Sequence, residues 1–158
     1  FKLSFLSDLR SPDFFGFSVE RINVPAADRS ALTAHPNGVE GISEIILSEP
    51  NPTDFQYFIG ELCNNRETEA NSFGMSVELD GATVTVFNKA GLETHLGIVD
   101  PSRERGLLGR AVVYRVSDLQ ALAALLQKNN VTARQVAGRL IVDPAPGQGA
   151  YYCFEEIR

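Results

Sequence analysis

A weak internal repeat constrains this chain more than any other feature of its sequence. Thr53 and Gln56 stand three residues apart, as in a helix-capping box, and an apolar helical face follows them. The same pattern recurs 64 residues later, beginning at Ser117 and Gln120. The two apolar faces occupy equivalent positions: Phe55, Phe58, Ile59 and Leu62 in the first copy, and Leu119, Leu122, Ala123 and Leu126 in the second. A duplicated unit is therefore predicted.

Each copy predicts the element order β, α, β, β, β. Alternating apolar residues and turn signals predict strands around the two helices. The predicted elements of the first copy are strand 42–48, helix 53–63 and strands 67–70, 73–79 and 83–87, and those of the second copy are strand 111–116, helix 118–128 and strands 131–136, 140–142 and 150–156. We therefore predict an α+β fold in which two βαβββ units pair their sheets around a cleft and pack their helices outside.

The repeat predicts three segments along the chain. Residues 38–100 form the first unit, residues 106–158 form the second, and residues 1–37 form an N-terminal extension. The extension is predicted to be either the tail of a missing preceding domain or a hairpin added to this one. Because Phe14, Phe15 and Phe17 would leave an apolar edge uncovered, a homodimer or a missing tandem domain is predicted to cover it.

Composition excludes several classes of partner. The 158 residues carry a net charge of −6, which provides no basic surface for nucleic acid. No apolar run reaches the ~20 residues that span a bilayer, so no membrane partner is expected and a cytoplasmic location is predicted. Cys63 and Cys153 lack the spacing of a metal or redox motif and are predicted to be reduced thiols.

Common catalytic motifs are missing from the sequence. The chain contains no dinucleotide-binding glycine pattern, phosphate-binding loop, zinc-protease helix or nucleophile elbow. Its two histidines, His35 and His95, are predicted to lie in loops, the second in the polar linker between the copies. Whether the chain is an enzyme is therefore left open by its motifs.

Two stretches resemble the vicinal oxygen chelate superfamily, and more narrowly its glyoxalase-like domain proteins. Residues 35–47, HPNGVEGISEIIL, resemble the entry into one βαβββ unit, and residues 115–119, RVSDL, resemble the end of the first strand and the start of the helix in another. The resemblance covers residues 35–158. It implies the glyoxalase/bleomycin-resistance/dioxygenase-like fold.

The same resemblance implies a divalent metal held by His and Glu on the first and last strands of each unit. By resemblance those positions fall on Glu44 and Ala111 for the first strands, on Thr85 or Val86 for one last strand, and on Cys153 or Glu155 for the other. Only Glu44 and Glu155 would serve together, and two carboxylates hold a cation weakly. No metal ligand and no cofactor are therefore predicted, with a divalent metal as the alternative.

Alternation along the strands predicts which side chains face the cleft. The candidate ligand-binding residues are Glu44, Ser48, Arg115, Tyr151, Cys153 and Glu155. Arg115 is predicted either to anchor a carboxylate or phosphate or to pair with Glu44 or Glu155. The predicted function is a metal-free small-molecule-binding module with a degenerate metal site. The alternative is a metal-dependent lyase, isomerase or ring-cleaving dioxygenase acting on a small oxygenated substrate.

Overall fold

The computed structural model describes residues 1–24, 27–28, 30–99 and 105–157. The chain opens with a hairpin of β1 (Lys2–Asp8) and β2 (Ser11–Glu20), followed by the single-turn helix α1 (Ser30–Thr33). The first unit contains β3 (Val39–Ser48), a 3₁₀ turn (Pro52–Phe55), α2 (Gln56–Cys63), β4 (Glu69–Asn71), β5 (Gly74–Leu79) and β6 (Ala82–Phe87). After α3 (Lys89–Leu96), the second unit contains β7 (Leu108–Val116), α4 (Leu119–Lys128), β8 (Arg134–Val136), β9 (Arg139–Val142) and β10 (Tyr151–Glu156).

The two units join edge to edge in one eight-stranded sheet. Its strand order is β4-β5-β6-β3-β7-β10-β9-β8, so β3 and β7 form the junction and pair antiparallel. Within each unit the first strand runs parallel to the last, β3 to β6 and β7 to β10. The outermost strands, β4 and β8, contain three residues each. The predicted order β, α, β, β, β is confirmed in both copies. The proposed segment boundaries remain a prediction, and residues 100 and 158 lie outside the described part of the chain.

The predicted capping boxes are wrong at both helices. Pro52 begins a 3₁₀ turn ahead of α2, and Phe55, which cannot accept a side-chain hydrogen bond, holds the N-cap position of that helix. In the second copy Asp118, not Ser117, caps α4, because its carboxylate accepts a hydrogen bond from the Ala121 backbone N–H at 2.8 Å. Both predicted helices are present, so the spacing of their apolar residues was the reliable signal and the predicted caps were not.

Helices pack on both faces of the sheet, and they cover the second face only in part. One face packs against α2, around Leu47, Phe55 and Ile59, and against α4, around Val116 and Leu122. The other face is covered in part by α3, which the sequence analysis assigned to a polar linker. Leu92 and Leu96 of α3 pack on a fully or nearly fully buried layer from five strands, namely Ile46, Phe87, Ala111, Val113, Ile141 and Cys153. The helix therefore fills part of the cleft that the two units enclose.

The N-terminal hairpin has one packed face and one exposed face. Leu6 and Phe14 pack on the α2 cluster, where the Phe14 ring lies 6.1 Å from the ring of Phe58. The prediction that Phe14 is exposed is therefore wrong. The opposite face carries exposed apolar side chains in matched pairs, since Leu3 faces Val19 and Phe5 faces Phe17 across the two strands.

Candidate functional site

The part of the cleft that α3 leaves open is a cavity of about 820 Å³. Both units contribute to its wall, together with the last turn of α3 and the turn between β8 and β9. The lining residues are Glu44, Phe87, His95, Arg115, Leu119, Ala137, Gly138, Arg139, Glu155, Glu156 and Ile157. Of the six predicted ligand-binding residues, the structure brings Glu44, Arg115 and Glu155 together here.

Arg139 bridges two carboxylates in this cavity. Its Nη2 lies 2.7 Å from Glu44 Oε2 and 2.9 Å from Glu155 Oε2, and its Nε donates to the same Glu155 oxygen at 3.0 Å. Burial disfavours the guanidinium charge, but the two carboxylates outweigh burial and raise the pKa of Arg139. Arg139 therefore remains a fixed cation between Glu44 and Glu155.

Glu44 is the more deeply buried of the two acids, with only 9% of its surface exposed. Thr85 Oγ1 donates a short hydrogen bond to Glu44 Oε1. Within the described residues Glu44 Oε2 has no aligned hydrogen-bond donor, although Arg139 Nη2 is close enough to form an ion pair with it. The charge on this oxygen is thus balanced by Arg139 without a hydrogen bond of good geometry.

A tight turn places Arg139 at the cavity. Val136 pairs with Arg139 across β8 and β9, so only Ala137 and Gly138 form the turn. Both have positive φ angles, 50° and 84°, as a type I′ hairpin turn requires. Because Arg139 directly follows this turn at the start of β9, its position is fixed by the hairpin. The sequence analysis did not identify this residue.

His95 also belongs to the cavity, so its assignment to a linker loop is wrong. It lies in the last turn of α3, where its ring stacks on Phe87 with centroids 4.9 Å apart and an interplanar angle of 9°. Phe73 meets the same ring edge-on at 5.2 Å. His35, by contrast, is in a loop as predicted, and its Nδ1 accepts a hydrogen bond from the Asn37 backbone at 3.2 Å.

Arg115 differs from Arg139 in having no acidic partner within the part of the chain that the structure describes. It projects from β7 as a half-buried side chain, and its Nη2 lies over Gly41, where a Cβ atom would approach to 3.3 Å. Across the described ranges it forms no ion pair or hydrogen bond through its side chain. The predicted alternative, a pair with Glu44 or Glu155, is therefore not formed, because Arg139 occupies both acids.

The other three candidates lie away from the cavity wall. Ser48 Oγ accepts a hydrogen bond from Arg110 Nε at 2.7 Å. Cys153 is completely buried beneath α3, and burial raises the pKa of its thiol to about 11, so it stays protonated near neutral pH. Tyr151 packs against the same layer, with the Arg134 guanidinium 5.9 Å from its ring centre.

The donors in the cavity do not fit a divalent metal. A catalytic metal requires three or four convergent N, O or S donors. No cluster of three or more His, Cys, Asp or Glu side chains suited to a metal occurs in residues 1–24, 27–28, 30–99 and 105–157. The two carboxylates that the family resemblance would assign to a metal are instead bridged by a guanidinium. The groups in the cavity that can bind a ligand are therefore the chain's own charged and aromatic side chains.

The strand order and the cleft define a fold. The chain has the glyoxalase/bleomycin-resistance/dioxygenase-like fold, which similar solved structures share. No protein-family model matches the sequence, and no curated protein matches it. Among the described residues, no helix combines the length and apolar character needed to cross a bilayer.

Similar solved structures include two epimerases. Methylmalonyl-CoA epimerase from Mycobacterium tuberculosis is 16% identical with a TM-score of 0.54, over 77% of this chain and 90% of the epimerase. The hypothetical protein BH1468 from Bacillus halodurans is 12% identical with a TM-score of 0.53, over 74% and 94%. The Streptomyces coelicolor epimerase in complex with 2-nitronate-propionyl-CoA is 12% identical with a TM-score of 0.50, over 74% and 95%. At these identities the similarity establishes the fold alone.

Proposed function

We propose that this chain is a small-molecule-binding protein whose cleft takes a small organic carboxylate at Arg115. The observation that carries the proposal is that Arg115 lines the cavity half-buried and has no acidic partner among the described residues. A partly desolvated cation without a counter-charge favours binding of an anion. Its planar guanidinium suits the two oxygens of a carboxylate.

The surrounding residues favour a small ligand over a large polyanion. Arg139 carries one positive charge against the two negative charges of Glu44 and Glu155. Glu156 adds a further negative charge at the exposed rim, so the cavity repels a polyanion. The stacked rings of Phe87 and His95 offer an aromatic wall with a polar edge. A ligand with one carboxylate and a short organic body therefore fits the cavity better than one with several phosphates.

The alternative activity is that of a metal-dependent lyase, isomerase or ring-cleaving dioxygenase. Two of the similar structures are epimerases, which favours the isomerase class on fold alone. Because Glu44 and Glu155 are both held by Arg139, this activity would need a different set of metal ligands. The two functions are distinguished by whether ligand binding requires an added metal.

Removal of the Arg115 charge is expected to weaken carboxylate binding by about 10- to 100-fold, because the ligand would lose a hydrogen-bonded contact with a charged group. The measurement is an NMR titration of chelator-treated protein with acetate, lactate, pyruvate and malonate. We expect at least one of these compounds to shift resonances of cavity residues in the wild type. Arg115→Gln should need a much higher concentration for the same shift.

Arg66→Gln is the matched control, because it removes the same charge from an exposed position outside the cavity. It should bind the panel as the wild type does. Equal binding by wild type and Arg115→Gln would contradict the proposal, and so would a panel in which no compound binds. Binding that appears only after Mn²⁺ or Zn²⁺ is added would favour the metal-dependent alternative.

We further propose that two copies associate through the exposed face of the β1–β2 hairpin. Phe5 and Phe17 are 67% and 56% exposed and lie side by side, with ring centres 6.0 Å apart. Leu3 and Val19 extend the same apolar face. A contiguous exposed surface of this kind is typical of a protein interface. A second copy offers a face of the same character.

The double variant Phe5→Ser with Phe17→Ser is expected to raise the dimer dissociation constant by about 30-fold or more, because central aromatic residues dominate interface energies. Sedimentation equilibrium over a range of concentrations measures it. Tyr57→Ser is the control, since Tyr57 is an exposed aromatic residue on α2. A wild-type chain that stays monomeric at the highest concentration would refute the dimer.

A further inference from the structure

We propose that Glu44 and Glu155 form a cation-binding site, which the guanidinium of Arg139 occupies in this protein. Without that side chain, the same site should bind a free guanidinium ion. This inference goes beyond ligand binding at Arg115 and does not depend on it. It concerns what the two carboxylates recognise, which is a planar guanidinium supplied by the chain itself.

The contacts have the form of a bound ion rather than of a surface salt bridge. Nη2 of Arg139 contacts both acids at once, at 2.7 and 2.9 Å, and Nε makes a further hydrogen bond to Glu155. Only 21% of the Arg139 side chain and 11% of the Glu44 side chain are exposed. Charged groups this well buried depend on each other, because neither is fully hydrated.

The bridge also crosses the junction between the two units. Glu44 belongs to β3 of the first unit, whereas Glu155 and Arg139 belong to β10 and β9 of the second. Three interstrand steps of about 4.8 Å separate β9 from β3 in a flat sheet. The contact therefore ties the first unit to the second on the side of the sheet that lines the cavity.

One observation indicates that the acid site is ordered by more than Arg139. Thr85 donates to Oε1 of Glu44 and so directs the carboxylate, while Oε2 of Glu44 has no aligned donor within the described ranges. Truncation of Arg139 would take away the cation beside that buried oxygen but not the hydrogen bond that positions the carboxylate. The two acids should therefore accept a guanidinium that is not attached to the chain.

Chemical rescue tests this inference. Arg139→Ala should lose thermal stability, and millimolar methylguanidinium should restore part of it, at concentrations far below the molar range in which guanidinium unfolds proteins. At ten times its dissociation constant the added cation should raise the Tm of the variant by about 3–6 °C. Wild-type protein and the exposed-pair variant Arg66→Ala should show no rise, and NaCl at equal ionic strength serves as the salt control.

Further variants keep the test decisive. Should Arg139→Ala fail to fold, Arg139→Gln is measured in the same way. Adding Glu155→Gln to Arg139→Ala should raise the methylguanidinium concentration for half-maximal rescue by about tenfold, since one charged partner is lost. An absence of rescue in both Arg139→Ala and Arg139→Gln would overturn the proposal. So would a larger rise with Mn²⁺ than with methylguanidinium, because the acids would then form a metal site.

Discussion

Replacement of Arg139 by alanine is expected to lower the free energy of unfolding by about 3–5 kcal/mol, the range for breaking a buried ion pair from one side. The loss arises because Glu44, only 9% exposed, would lose the cation beside it and keep only the hydrogen bond from Thr85 among its described side-chain contacts. Urea denaturation of the wild type and the variant at neutral pH measures the change.

Two comparisons separate charge burial from simple loss of a side chain. Arg66→Ala breaks an ion pair with Glu61 in which the arginine side chain is 77% exposed, and should cost no more than about 1 kcal/mol. Adding Glu44→Gln to Arg139→Ala should recover part of the loss, since the buried group is then neutral. If Arg139→Ala lowers the free energy of unfolding as little as Arg66→Ala does, the contacts of Arg139 stabilise the protein no more than a surface ion pair.

Leu96→Ala is expected to lower the free energy of unfolding by about 2–5 kcal/mol, the range observed when a buried leucine is replaced by alanine. Leu96 is completely buried on the sheet layer beneath α3 and belongs to the same cluster as Ile46 and Val113. Alanine is the better helix former, so helix propensity does not contribute to the loss. Urea denaturation again provides the measurement.

Leu32→Ala is the corresponding control, because Leu32 also lies in a helix but is 84% exposed. It should change the free energy of unfolding by about 0.5 kcal/mol or less. A loss at Leu96 equally small would mean that α3 is not anchored to the sheet. The position of His95, one residue earlier in the helix, would then not be fixed by packing.

The duplicated fold could be predicted from sequence because burial produces local periodicity. Because side chains alternate along a strand, Ile46, Ala111, Val113 and Cys153 share one face of the sheet and belong to one buried cluster. Helix α3 was missed because only Leu92 and Leu96 of its eight residues are large apolar side chains. Its end signals were present: Asn88 accepts a capping hydrogen bond from the Gly91 backbone, and Gly97 adopts a left-handed conformation after the last turn.

The site was harder to predict than the fold, because its central contacts join residues far apart in sequence. Glu44 and Glu155 were identified through strand alternation, but Arg139 stands 95 residues after Glu44 in a short strand with no motif of its own. Its role depends on the strand order of the sheet and on the two-residue turn before it. Neither the strand order nor the choice of ion-pair partner is encoded in local spacing.

The short outer strands of the sheet affect how this protein behaves at high concentration. β4 and β8 offer only three residues each for pairing, and each carries a charged residue, Glu69 in one and Arg134 in the other. Short, charged edges resist the strand-to-strand addition that leads to aggregation. Uncontrolled growth of the sheet into fibrils through these edges is thereby disfavoured.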